Sequence, residues 1–267
     1  MSGAADRWRP WYGLLALVLG LVGGNLAGAI VAVLIPGGYV HGKITPTGTD
    51  VATVIQDLAF VGFAVLLAMR TAPVAPGQFG LRRPRSQWRA IGLVLLALVL
   101  VTAIGDAWFS IVHSSSKETE FVKDIGGDSG TIGVLAVCVL VCVVAPICEE
   151  LLFRGFMYRA LRNWRGAWPA SILTGVVFGA VHGASAPAVD LLPLALLGIL
   201  LCWVYELSGS LYPCIALHLT NNALALSGDE NWSDGRFIAL LAGALALAAL
   251  VLAAVRLASA RWTPATD

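Results

Sequence analysis

A chain of 267 residues that is 58% hydrophobic and only 12% charged is not a water-soluble domain, in which roughly a quarter of residues are charged. Its net charge of +1 gives no basis for nucleic-acid binding or for a strongly acidic partner. A mean hydropathy of +0.82 predicts an all-α polytopic membrane protein, and the length suits a single membrane domain over residues 1–267.

Apolar stretches of about 17–25 residues are long enough to span a bilayer as helices. Eight are predicted, at 11–35, 50–69, 88–113, 131–162, 167–184, 189–207, 211–226 and 236–258. The first lacks a small-residue cleavage site behind it and reads as a retained helix. Gly20, Gly24 and Gly28 form a small-residue ridge on it, as Gly175, Gly179 and Gly183 do on the fifth, and such ridges permit close helix contact. Asp57 in the second span reads as a packing or cavity residue. Asp106 in the third reads as near an interface, and His41 and His113 at loop edges as solvated. The fourth span is longer than a bilayer needs and predicts a basic stem outside it. Pro169 and Pro213 fall at helix starts, where a missing N–H is harmless. The five cysteines (Cys138, Cys142, Cys148, Cys202, Cys214) lie in apolar segments without metal-type spacing and read as packing residues.

Arginine marks alternate loops. Arg7 and Arg9, then Arg70 to Arg89, then Arg154 to Arg165, then Arg256 and Arg261 lie at one set of ends. Loops 36–49, 114–130 and 227–235 are poor in arginine. The positive-inside rule then places both termini in the cytoplasm.

Within the fourth span two carboxylates are adjacent, Glu149 and Glu150, although an ionisable group in hydrocarbon costs a few kcal/mol or more. His182 and His218 are likewise placed in apolar segments. Glu149 and His182 straddle the 163–166 turn symmetrically, so an antiparallel hairpin sets them at one depth. His218 lies about eight residues past the 208–210 turn, roughly 12 Å along a helix, a similar depth. Glu150 and Arg154 are four apart and can pair, which leaves Glu149 free to face a site. Pro146 removes a backbone hydrogen bond and predicts a kink just before it. Phe178 shares a face with His182, and Asn222 shares one with His218.

A partly desolvated carboxylate beside an imidazole can deprotonate water. His218 and Asn222 can donate hydrogen bonds to the oxyanion of a tetrahedral intermediate, with the adjacent Asn221 a rival for the second place. The same residues also allow a zinc site with Glu149, His182 and His218 as ligands. Direct activation of water without a metal cofactor is the favoured reading, because no His-Glu-x-x-His pattern is present. Other classes stay open. A proton-coupled transporter also places acids and histidines in a membrane, and an inactive scaffold could keep the fold.

Glu-Glu-x-x-x-Arg at 149–154, Phe-x-x-x-His at 178–182 and His-x-x-x-Asn at 218–222 together resemble the CPBP family. These are the CAAX-processing and bacteriocin-processing (Abi) intramembrane endopeptidases, related to the type 2 CAAX prenyl proteases. The resemblance covers roughly residues 131–226 and implies that this segment is a catalytic helical core. Outside it, the helix lead-in Phe79-Gly80-Leu81-Arg82-Arg83-Pro84 is also similar. It implies Glu149 and His182 as the water-activating pair and His218 and Asn222 as the oxyanion-stabilising pair, with the spacing making Glu150 and Arg154 a brace behind them. It implies proteolysis near the membrane surface but does not carry over a substrate; a membrane-associated peptide or protein is the expected one. The expected setting is the inner membrane of a bacterium, with the active site toward the cytoplasm.

Overall fold

The structure is a computed structural model that describes residues 8–71, 73–112, 130–229 and 233–260; His113 and the 114–129 loop lie outside them. Eight long helices form a bundle. They are α1 (Pro10–Leu34), α2 (Pro46–Met69), α3 (Gln87–Val112), α4 (residues 130–165), α5 (Ala167–Val181), α6 (Leu191–Ser208), α7 (Tyr212–Asp229) and α8 (Asp234–Ala260). Seven of these have the length and apolarity to cross a membrane among the described residues. The exception is α7, whose His218, Thr220, Asn221 and Asn222 lower its hydropathy and whose inward face is buried. Large apolar side chains such as Val22, Leu26 and Leu34 are more than 60% exposed on the outside of the bundle, as hydrocarbon contact requires. The chain is therefore an integral membrane protein.

Local chemistry sets the helix ends. Pro10 and Pro46 occupy first-turn positions, where the absent N–H costs nothing. Thr45 caps α2 by accepting the Gly48 N–H at 3.2 Å, the usual N-cap bond. Between α1 and α2 lies a small hairpin, Tyr39–Val40 against Lys43–Ile44, which the sequence reading treated only as a loop. His41 and Gly42 both take positive φ, 50° and 82°, as a two-residue hairpin turn demands.

The glycine ridges act as expected where they meet backbone. A methyl group on Gly24 would come within 2.8 Å of Gln56 Cα, and one on Gly28 within 2.8 Å of the Ala52 carbonyl, so these glycines let α1 and α2 touch. Gly175 and Gly179 do the same for α5 and α6, against the Ala195 and Leu191 carbonyls. Gly183 does not, because only the Leu191 side chain approaches it, at 3.7 Å.

Helix α4 is the centre of the molecule and is not uniformly α. It runs as Gly130–Val139, a π segment Leu140–Val144, an α turn Ala145–Glu150, a second π segment Leu151–Tyr158 and a last α stretch Arg159–Arg165. The kink expected at Pro146 takes this form. Ala145 N–H bonds the Leu140 carbonyl five residues back. The next bond in that register would run from residue 146 to Val141, and proline has no N–H to make it. Phe153, Phe156 and Tyr158 of the second π segment are fully buried.

Candidate active site

The two glutamates sit on the α turn held between the π segments, and they point to different partners. Glu150 is completely buried. Its Oε1 accepts from Arg154 Nη1 at 2.7 Å, the i,i+4 pair expected from spacing. Arg154, also completely buried, donates its Nη2 to the Gly198 carbonyl of α6 at 3.0 Å, and its guanidinium lies 4.5 Å from the Phe178 ring centroid. Charge, hydrogen bond and ring face together offset the cost of burying the guanidinium.

Glu150 has a second partner that the spacing did not reveal. His218 on α7 places Nδ1 2.9 Å from the same Oε1. A carboxylate only accepts, so Nδ1 carries the hydrogen. That turns Nε2 toward Glu149, whose Oε2 lies 3.9 Å away. This gap is too long for a hydrogen bond and suits a bridging oxygen. Glu149 keeps 15% of its side-chain surface exposed, against none for Glu150.

His182 closes α5, and its Nδ1 lies 2.7 Å from the Phe178 carbonyl, so its Nε2 is also left as the lone-pair nitrogen. The structure brings His182 to the site through a ring and not through the acid. The Phe178 ring packs against His182 at 4.9 Å and against His218 at 5.6 Å between centroids. The described contacts include no hydrogen bond or ion pair between His182 and Glu149. Equal depth put these residues at one level; it did not fix the distance across the level.

Asn222 departs from its expected pairing with His218 in an instructive way. Its Nδ2 donates to the Val141 carbonyl at 3.0 Å, the acceptor that Pro146 leaves without its π-register partner. The side chain of α7 thus completes the backbone of α4. One amide hydrogen and the amide oxygen remain for other use.

Asp57, expected as a packing or cavity residue, is buried close to the acid turn. It is 3% exposed on α2, its Oδ2 has no hydrogen-bond partner, and it lies within electrostatic range of both Glu149 and Cys148. The available signal was an acid midway along an apolar span. Glu149 Oε2, Glu150 Oε2 and Arg154 Nε are likewise buried without hydrogen-bond partners. Unsatisfied polar atoms are rare in native interiors, and these four belong to the acid turn and its neighbours. Among the described residues no three His, Cys, Asp or Glu side chains converge as a metal-ligand set.

Three helices, α4, α5 and α7, thus deliver two carboxylates, two tautomer-fixed imidazoles and an anchored amide to one region, with Asp57 of α2 close by. Residues 131–224 match the family described as type II CAAX prenyl endopeptidase Rce1-like. The central segment is therefore similar to that family over about a third of the chain. Its limits enclose every motif residue from Glu149 to Asn222. Two curated proteins are similar to part of the chain. The UPF0177 protein YxdF of Lactococcus lactis subsp. lactis is 24% identical over 111 residues, covering 39% of this chain and 60% of that protein. An uncharacterized 24.3 kDa protein of Escherichia coli is 28% identical over 109 residues, covering 40% of this chain and 50% of that protein. The chain thus spans less than two thirds of either relative. No solved structure matches it.

Proposed function

We propose that this protein is an intramembrane endopeptidase that hydrolyses a peptide bond of a membrane-associated peptide or protein with a water activated by Glu149 and His182. The Rce1-like match supports a protease of this fold, and the meeting of Glu149, Glu150 and His218 from two helices is the observation that carries the chemistry. His182 Nε2 accepts one hydrogen of the water and orients it. Glu149 takes the other as the water oxygen bonds to the scissile carbonyl carbon and the carbonyl π pair moves to oxygen. The resulting oxyanion accepts a hydrogen bond from the second Asn222 N–H, and one from His218 Nε2 when that ring is an imidazolium that keeps its Nδ1–H on Glu150. Collapse re-forms the carbonyl and breaks the C–N bond, and the proton on Glu149 passes to the leaving nitrogen. Glu150 and Arg154 position His218 without touching substrate.

An apolar groove of about 290 Å³ lies between α7 and α8, lined by Ile215, Leu219, Leu245, Ala248 and Leu252. It is open to the bundle surface on the helix that bears His218 and suits an apolar substrate segment arriving from the bilayer. The arginine-rich ends and the bacterial relatives support an inner membrane with the site toward the cytoplasm. Membrane proteomes holding wild type or Glu149→Gln test the reading: new protein termini present with the first and absent with the second support it. Unchanged termini with the second refute it. A chelator series on the purified protein tests the metal-free route, which full chelator sensitivity reversed by zinc would overturn.

A further inference from the structure

One end of the bundle is built as a rigid cationic platform. The segment between α2 and α3 is fastened there to the turn between α6 and α7. Arg82 Nε donates to the Gly209 carbonyl at 2.8 Å, Ser210 Oγ donates to the Arg82 carbonyl at 2.6 Å, and Leu211 N–H donates to the Gly80 carbonyl at 2.9 Å. Arg159 of α4 donates to the Gln78 carbonyl from the same side, and Trp8 packs on Phe79 and Phe156. The backbone that carries Arg83, Arg85 and Arg89 is therefore fixed, while all three side chains are exposed.

These charges have little to neutralise them. Arg83 and Arg89 make no side-chain hydrogen bond or ion pair among the described residues. Glu206 is the one acid at this end among the described residues. It is already bound by Arg162 Nε at 2.7 Å and by the Tyr158 hydroxyl at 3.0 Å, with Arg85 only in electrostatic range. Beside the three arginines Trp88 is 84% exposed, and at the same end Trp168 is 66% and Trp164 53% exposed. Exposed indoles belong at the depth of lipid headgroups. Fixed guanidiniums beside them match phosphate in planar geometry and charge.

We propose that Arg83, Arg85 and Arg89 form a binding surface for the phosphate of anionic phospholipid headgroups, with Trp88 seated at the headgroup boundary. An acidic protein segment would meet the same charges, but the exposed indole ring fits a lipid boundary better than an aqueous partner. The assignment is independent of peptide hydrolysis and requires only the membrane-embedded bundle.

The test is native mass spectrometry of the full-length protein released from bilayers of equal phosphatidylglycerol and phosphatidylcholine. Wild type is expected to retain phosphatidylglycerol with a preference of about tenfold or more, as three arginines near a charged surface imply. The Arg83→Gln/Arg85→Gln/Arg89→Gln protein is expected to lose that preference, and the triple lysine variant to keep most of it. Higher salt should weaken retention by wild type, a measurement that needs no variant to fold. Equal retention of both lipids by wild type overturns the proposal, as does a preference that survives the glutamine substitutions. Displacement of the lipid by equimolar inorganic phosphate, or by an acidic peptide, overturns it as well.

Discussion

Glu150 Oε1 receives two donors from two helices, Arg154 Nη1 at 2.7 Å and His218 Nδ1 at 2.9 Å. One oxygen thereby ties the inside of α4 to α7 and fixes which nitrogen of His218 faces Glu149. Removing the carboxylate strands a buried guanidinium, and breaking a buried pair in this way costs about 3–5 kcal/mol. Glu150→Ala is expected to lose about that much stability in thermal unfolding of the detergent-solubilised protein. Replacing both partners, as Glu150→Leu with Arg154→Met, is expected to restore most of the stability and none of the cleavage. Cleavage by the double variant would show that the tautomer of His218 is held by something else.

Asn222 and Pro146 are coupled through the Val141 carbonyl. Asn222→Ala leaves that carbonyl unpaired, at a cost of about 1–3 kcal/mol. Pro146→Ala supplies a backbone N–H that can bond it. In a double-mutant cycle the Asn222→Ala penalty is expected to shrink in the Pro146→Ala background. Equal penalties in both backgrounds would separate the two residues.

Glycines on α5 differ in what they permit. Gly179→Val must push the Leu191 carbonyl away, displacing α6 and with it the Gly198 carbonyl that Arg154 binds. A loss of about 1–3 kcal/mol is expected, together with reduced cleavage. Gly183→Ala, which meets only the end of a leucine side chain, is expected to melt within about 0.5 kcal/mol of wild type. A reversed order of the two melting temperatures would contradict the packing described for α5 and α6.

Asp57 holds an unpaired oxygen in the interior and faces Glu149. Asp57→Asn replaces a buried carboxyl near Glu149 by a neutral amide of the same shape. The variant is expected to be more stable than wild type by about 1 kcal/mol or more, read as a higher melting temperature. A lower one would mean that the carboxylate has a stabilising partner.

Much of this architecture was legible because the bilayer leaves few options. Hydropathy gave eight helices to within a few residues at each end, and the four-residue spacing gave the Glu150–Arg154 pair. The equal-depth count brought α4, α5 and α7 to one level. Three things stayed hidden, each for a physical reason. The second bond to Glu150 depends on how α7 is rotated against α4, which depth does not report. Asn222 turned to Val141 because a proline elsewhere had left that carbonyl free, a relation between two helices that neither motif contains. The α2 packing that carries Asp57 to Glu149 rests on the small side chains of both helices. A lone acid in the sequence does not say which neighbour it will meet.

The π segments flanking the acid turn have a consequence for how this helix tolerates length changes. Each wide turn accommodates an extra residue without breaking the helix, so a single-residue deletion within Leu140–Val144 would tighten that stretch to ordinary pitch. Everything toward Gly130 would then be rotated against the acid pair by about 100°, while Glu150, Arg154 and His218 kept their mutual bonds. The fourth helix is thus two rotors on one axle, with the join at the proline.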